Sequence, residues 1–151
     1  MALANEELAY AAGIIDGEGC IYIDRFFDKR KKHNNPNYVL RIRVAMTDFE
    51  VPEWLEDKFG GVIYLIKKDN VKHRDQCAWS LNGRNAAEFL KKIETYTKIK
   101  LKQIKIGLEF EKLRFDNIPK KGRYGFLSIP PEILTLKEAL WILMHDANQR
   151  R

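Results

Sequence analysis

Ala11-Ala12-Gly13-Ile14-Ile15-Asp16-Gly17-Glu18-Gly19 is the stretch on which the reading of this chain turns. It closes a helix that begins near Asn5, a capping residue, with Glu6 and Glu7 in the first turn where acids suit the helix dipole. The helix is expected to reach about Asp16 and to end at Gly17-Glu18-Gly19, where glycine permits the turn. Ala9, Ala12, Gly13, Asp16 and Gly17 recur at helical spacing, so one face has almost no side-chain volume. Such a face lets another helix backbone come close, either within one subunit or as a self-complementary seam between two copies. A two-fold axis along this helix would set Glu18 beside its symmetry mate. Paired carboxylates repel unless a divalent cation lies between them. A hard metal held by carboxylates and phosphate oxygens is what phosphodiester hydrolysis needs.

Outward from this stretch, Cys20 to Phe27 reads as a strand, with Ile21 and Ile23 alternating with Tyr22 and Asp24. A polar loop, Asp28 to Asn37, leads to a second strand, Tyr38 to Thr47, on which Leu40, Ile42 and Val44 oppose Arg41 and Arg43. Asp48 caps an acidic helix running to Phe59, and Gly60-Gly61 stops it. Val62 to Lys68 and Arg74 to Leu81 form a second hairpin, and a helix starts at Asn82 or Asn85. Strand–strand–helix therefore occurs twice, which predicts one layered α+β domain with four strands and two covering helices. Residues 97–115 fit both periods, and helix is preferred on length. A loop at 116–131 carries a basic cluster. Thr135 and Glu138 make a capping box for a last helix through about Asn148, apolar on nearly all sides and so expected to be largely buried.

The chain has 151 residues, 45% hydrophobic, which suits one domain or one subunit of a symmetric assembly. No window is apolar enough for a transmembrane helix, and residues 1–10 lack the basic start of a signal peptide. Cys20 and Cys77 are too few for a disulfide framework or a Cys-rich zinc site, so an intracellular setting is expected. The net charge of +6 is unevenly spread. Residues 24–43 hold seven bases against Asp24 and Asp28, and residues 91–114 hold eight against three acids. Residues 48–57 hold five acids and no base. Segregated positive charge of this kind points to a nucleic-acid partner.

The nine-residue stretch resembles the signature of the LAGLIDADG homing endonucleases. The match holds at Ala12, Gly13, Asp16 and Gly19, with conservative changes at Ile14, Ile15 and Glu18. Leucine is usual where Ala11 stands, and alanine or glycine where Gly17 stands. The resemblance covers roughly residues 5–115 and implies an αββαββα core over 1–115, whose four antiparallel strands form a DNA-binding saddle. Residues 116–151 would be a loop and further helix packed on that core. A single motif implies a homodimer with a long, roughly palindromic duplex target, cut across the minor groove to leave short 3′ overhangs. It also implies a metal site at Glu18 and Gly17, one set from each subunit, with Mg²⁺ as the usual ion and Mn²⁺ or Ca²⁺ as possible occupants. Ala9, Ala12, Gly13 and Asp16 would form the dimer seam. Within Lys100-Leu101-Lys102-Gln103, Lys102 is the match to the family's lysine near the scissile phosphate. The family's glutamine at the end of the second strand falls at Met46 or Thr47, neither of which is an amide.

Alternation then assigns the DNA face. Tyr22, Asp24, Phe26, Arg41 and Arg43 point outward from the first hairpin. Tyr64, Lys68, Arg74 and Gln76 are candidates on the second. Arginine can read guanine bidentately and aspartate can accept from cytosine. Lys31 and Lys32 in the first loop add charge, while Lys120, Lys121 and Arg123 suit phosphate. His33, His73 and His145 show no metal spacing. The competing readings are an intron-splicing maturase or non-catalytic binder on the same fold, and a generic RNA-binding α+β domain. The last would need exposed stacking aromatics, for which only Tyr22, Phe26 and Tyr64 qualify.

Overall fold

Strict alternation along the second strand builds the sheet. Tyr38, Leu40, Ile42 and Val44 are buried, while the residues between them are half-buried. The computed structural model describes residues 2–30, 35–126 and 128–149. Its elements are α1 (Asn5–Glu18), β1 (Gly19–Phe26), β2 (Asn37–Met46), α2 (Glu50–Phe59), β3 (Val62–Ile66), β4 (Gln76–Asn82), α3 (Gly83–Ile93), α4 (Leu101–Asp116), β5 (Lys121–Gly122), β6 (Gly125–Phe126) and α5 (Pro131–Gln149). A 3₁₀ turn, Glu94–Tyr96, follows α3. Strands β1 to β4 form one antiparallel sheet in the order β1-β2-β4-β3, so the two hairpins meet along β2 and β4.

The core lies between the sheet and the helices. Ala11, Ala12 and Ile15 of α1, Leu55 of α2, Phe89, Leu90 and Ile93 of α3, and Ile104 and Phe110 of α4 pack with Leu40, Ile42, Val44 and Trp79. Trp79 is wholly buried, and its indole N–H donates to the Gly60 carbonyl at 2.7 Å. An edge-to-face series links Tyr10, Trp54, Phe59, Phe89 and Trp79, with centroids 4.8 to 6.0 Å apart. Gly107 lets α4 settle on the sheet, since a Cβ there would stand 3.0 Å from Leu40 Cδ1. No helix among the described residues is long and apolar enough to cross a membrane. The two thiols are free and lie on opposite faces of the sheet, Cys20 exposed opposite Arg43 and Cys77 buried opposite Met46.

Several expectations change. Helix α1 continues to Glu18, because the Gly19 N–H still bonds the Ile15 carbonyl. The two covering helices of the repeated unit, α2 and α3, are present, with α1, α4 and α5 making up the five expected. Strand β3 stops at Ile66, and the Lys68 N–H bonds the Asp75 carboxylate across the loop, so Lys68 and Arg74 both leave the strands. The helix preferred for residues 97–115 is present, but it starts only at Leu101 and runs to Asp116. The segment after α4 contains the short β5–β6 hairpin instead of loop alone. The last helix starts at Pro131: the Ile133 and Leu134 N–H groups bond the Pro130 carbonyl, and the Thr135 hydroxyl donates to Pro131 rather than capping. Helix α5 is also less buried than its composition suggests. It packs on α4 and β1 through Lys137, Leu140, Met144 and Ala147, and leaves Leu136, Ile142 and Leu143 about half exposed.

Gly61 has φ +97, and a Cβ there would stand 2.5 Å from the Ser80 carbonyl oxygen. Gly60 has φ +74 but faces open space. Gly61→Ala is expected to cost about 1–3 kcal/mol, a drop of several degrees in thermal midpoint, and Gly60→Ala measurably less; melting curves of the two variants check this.

Candidate active site and nucleic-acid face

The last turn of α1 violates the usual preference of a helix end. Its negative pole favours cations, yet Asp16 and Glu18 sit there with no basic residue. Asp16 is compensated from another element. Its carboxylate accepts the backbone N–H groups of Lys98 at 2.9 Å, Ile99 at 3.2 Å and Lys100 at 3.0 Å, in the segment that leads into α4. The Lys100 side chain returns in the opposite direction, and its ammonium donates to the Gly19 carbonyl. Glu18 is exposed and has no hydrogen bond or ion pair among the described residues. Gly19 cannot be replaced without displacement, because a Cβ would lie 2.8 Å from Ile15 Cα. The chain therefore passes directly from α1 into β1 and leaves Glu18 at the boundary.

Lys100, which the sequence reading passed over for Lys102, is the lysine brought to this corner. Lys102 is exposed in the first turn of α4 and makes no hydrogen bond or ion pair among the described residues. No local signal separates the two lysines: what does is the distant Asp16, which pins the backbone at Lys100 just before the helix. Met46 packs against the core and Thr47 is exposed beyond the strand, so no amide stands at the end of β2. No group of three or more His, Cys, Asp or Glu capable of holding a metal occurs among the described residues. The donors here are one unpaired carboxylate and the neighbouring backbone of Gly17. They suit a hard divalent ion only if further oxygen ligands come from outside the chain.

The small-residue face divides in two. Ala12 is wholly buried against its own core. Ala9, Gly13 and Gly17 are exposed at four-residue spacing, and a Cβ at either glycine would meet nothing within 4 Å. Asp16 is bound within the chain. The open strip is thus Ala9, Gly13 and Gly17, with Tyr10 beside it at 53% exposure.

The sheet face away from the helices carries the other candidates in register. Tyr22 lies opposite Arg41, which lies opposite Asn82. Cys20, Arg43, Ser80 and Val62 form the adjacent row, and Ala45, Ala78 and Tyr64 the next. Asp24, Phe26 and Gln76 share this face. Cys20, Ser80, Asn82 and Val62 were not anticipated, although the same period of two places them there. Arg41 and Asp24 form an ion pair at 2.9 Å. Lys68 and Arg74 are exposed in the β3–β4 loop, and Lys120, Lys121 and Arg123 are exposed on or beside the β5–β6 hairpin, off the main sheet. Lys31, Lys32 and His33 lie outside the described residues. On the helix side, Arg25 pairs with Glu138 at 2.5 Å and lies 4.1 Å over the Trp141 ring, while the Tyr38 hydroxyl donates to Glu138. Burial, together with that carboxylate, pushes the Tyr38 hydroxyl well above its usual range.

An open, arginine-bearing antiparallel sheet beside an unpaired carboxylate at a helix end is the layout of a nucleic-acid-processing protein. The family model of the LAGLIDADG endonucleases matches residues 11–112, and the chain belongs to that family, as a site-specific DNA endonuclease. Among solved structures, the homing endonuclease I-CvuI in complex with the I-CreI target is similar at TM-score 0.76 and 15% identity, covering 97% of this chain and 84% of that one. The archaeal intron-encoded homing endonuclease I-Vdi141I complexed with DNA is similar at TM-score 0.73 and 15% identity, covering 95% of this chain and 84% of that one. The homing endonuclease I-TnaI is similar at TM-score 0.63 and 18% identity, with 99% of this chain and 96% of that one covered. At such identities the likeness to these structures is one of fold. No curated protein matches the chain by sequence.

Asp16→Ala leaves three backbone amides without their acceptor and is expected to cost about 1–3 kcal/mol. Hydrogen exchange should show protection lost first at residues 98–100; unchanged protection there would remove Asp16 from this role.

Proposed function

We propose that two copies of this chain pair through the exposed strip Ala9, Gly13 and Gly17, and that each contributes Glu18 to a divalent-metal site that hydrolyses a phosphodiester in duplex DNA. The observation that carries the reading is Glu18 itself. It is an unpaired, exposed carboxylate at the pole of a helix where a carboxylate is unfavourable. The open carboxylate favours a catalytic centre over the non-catalytic binder or maturase. Two such carboxylates meeting across an axis, with DNA phosphate oxygens, complete the hard-oxygen donor set that one chain lacks.

A bound Mg²⁺ supplies an acidified water and neutralises charge on the leaving oxygen. I-CvuI, which shares this fold, was crystallised with the I-CreI target in the presence of Mg and with its own target in the presence of Ca, which supports a divalent ion at the centre. Glu18 would hold that ion, and the Gly19 turn fixes where Glu18 stands. We assign to Lys100, in place of Lys102, the positive charge beside the reacting phosphate. Its amine already reaches the Gly19 carbonyl, and its backbone is held by Asp16. From there it can stabilise the developing phosphoryl charge. The basic sheet binds the groove, and the exposed bases Lys68, Arg74, Lys120, Lys121 and Arg123 add phosphate contacts.

Cleavage of a randomised duplex library with Mg²⁺ tests the site. Glu18→Gln should keep duplex affinity and lose cutting, as should removal of the metal by chelation. Lys100→Met should slow cutting by about 10²–10³-fold, and Lys102→Met by far less. A larger effect at Lys102 would return the role to that residue, and cutting by Glu18→Gln at the native rate would overturn the site. Assembly has its own test. In the single chain a Cβ at Gly13 meets nothing within 4 Å, so Gly13→Val should remain folded; sedimentation should show the dimer lost. A dimer of native affinity would place the seam elsewhere.

A further inference from the structure

Arg41 and Arg43 stand two residues apart on the open face of β2, in different states. The Arg41 Nε–H donates to Asp24 at 2.9 Å, so that edge of its guanidinium is taken. Arg43 lies over the Tyr64 ring, with Cζ 5.8 Å from the centroid. Its Nε–H is buried and has no acceptor among the described residues. No protein acceptor therefore fixes the Arg43 guanidinium in the way that Asp24 fixes that of Arg41. Arg43 is also central. It sits on an inner strand, opposite Cys20 on one side and Ser80 on the other, and Cys20 is two residues from Glu18. Phosphates line the edges of a groove, whereas base edges form its floor. An arginine in the middle of a sheet laid in the major groove therefore faces bases.

We propose that Arg43 reads one guanine in each half of the target, through O6 and N7, and that Tyr64 holds it at the open face before DNA arrives. The proposal rests on the duplex-DNA reading above. Arg41, two residues farther from Glu18 along the sheet, serves a different position about 6–7 Å outward. The ion pair with Asp24 limits its freedom to reorient. Tyr64 is a positioning residue: it presents the planar guanidinium by cation–π contact and need not touch the base.

The experiment selects duplexes from a randomised library by binding, with metal chelated, so that cleavage is not involved. The native protein is compared with Arg43→Gln, Arg43→Ala, Arg41→Ala, Tyr64→Phe and Tyr64→Leu, each shown to melt near the native temperature. Arg43→Gln should move the preference at one symmetric pair of positions from guanine to adenine, because glutamine pairs with adenine N6 and N7. Arg43→Ala should flatten that position by roughly tenfold or more, while others keep their preference. Arg41→Ala should alter a position farther from the centre. Tyr64→Leu should weaken the guanine preference, and Tyr64→Phe should keep it. A uniform loss of affinity at all positions with Arg43→Ala, together with a salt dependence shallower by about one unit, would make Arg43 a phosphate contact and overturn the proposal. An Arg43→Gln profile identical to the native one would overturn it alone. A native protein that enriches no sequence would overturn both this and the duplex-DNA reading.

Discussion

Three backbone amides converging on the Asp16 carboxylate hold the working parts of this protein in register. They tie the end of α1 to the entry of α4, two elements more than eighty residues apart in sequence. Without that tie, the positive pole at the start of α4 would have no counterpart and Lys100 no fixed origin. Glu18 would stand on a helix end free to fray. The arrangement also explains how two acids coexist at an unfavourable helix pole. One is neutralised from within the chain and is structural, and the other is left open and is available for chemistry.

The sheet works by the same division. Its period of two gives one face to the core and the other to a partner, and antiparallel pairing makes that division strict across all four strands. The helix face is filled by large apolar groups around Trp79, so the open face can carry arginine, aspartate and tyrosine with little effect on the core.

Most of the framework was legible because each element declared itself by a period or a punctuation mark. The alternation of Leu40, Ile42 and Val44 with Arg41 and Arg43 fixed a strand and both its faces. Gly60-Gly61 marked the end of a helix, and the nine-residue stretch at Ala11–Gly19 marked the acidic corner where α1 meets β1. What escaped depended on contacts distant in sequence. Lys100 becomes distinct from Lys102 only when Asp16 pins the backbone beside it. Ala12 and Gly13 look alike in a list of small residues, but the helix rotation buries one in the core and exposes the other. The start of α5 was misplaced because Thr135 and Glu138 match a capping box in spacing. Pro130 supplies the first acceptors a turn earlier, and Glu138 is occupied by Arg25 and Tyr38.

The register of the open face has an evolutionary consequence. Tyr22, Asp24, Arg41, Arg43, Asn82 and Tyr64 are each separated from their strand neighbours by a residue committed to the helix side. Substitutions at these sites can therefore accumulate with little penalty to folding, and the open face can change while its scaffold stays constant. Ala78 is the exception. It lies on the open face beside Tyr64 yet is wholly buried, so a larger side chain there would disturb its neighbours. Change on this face is then constrained by its own pairs, Arg41 with Asp24 and Arg43 with Tyr64, and by Ala78, far more than by the core beneath it.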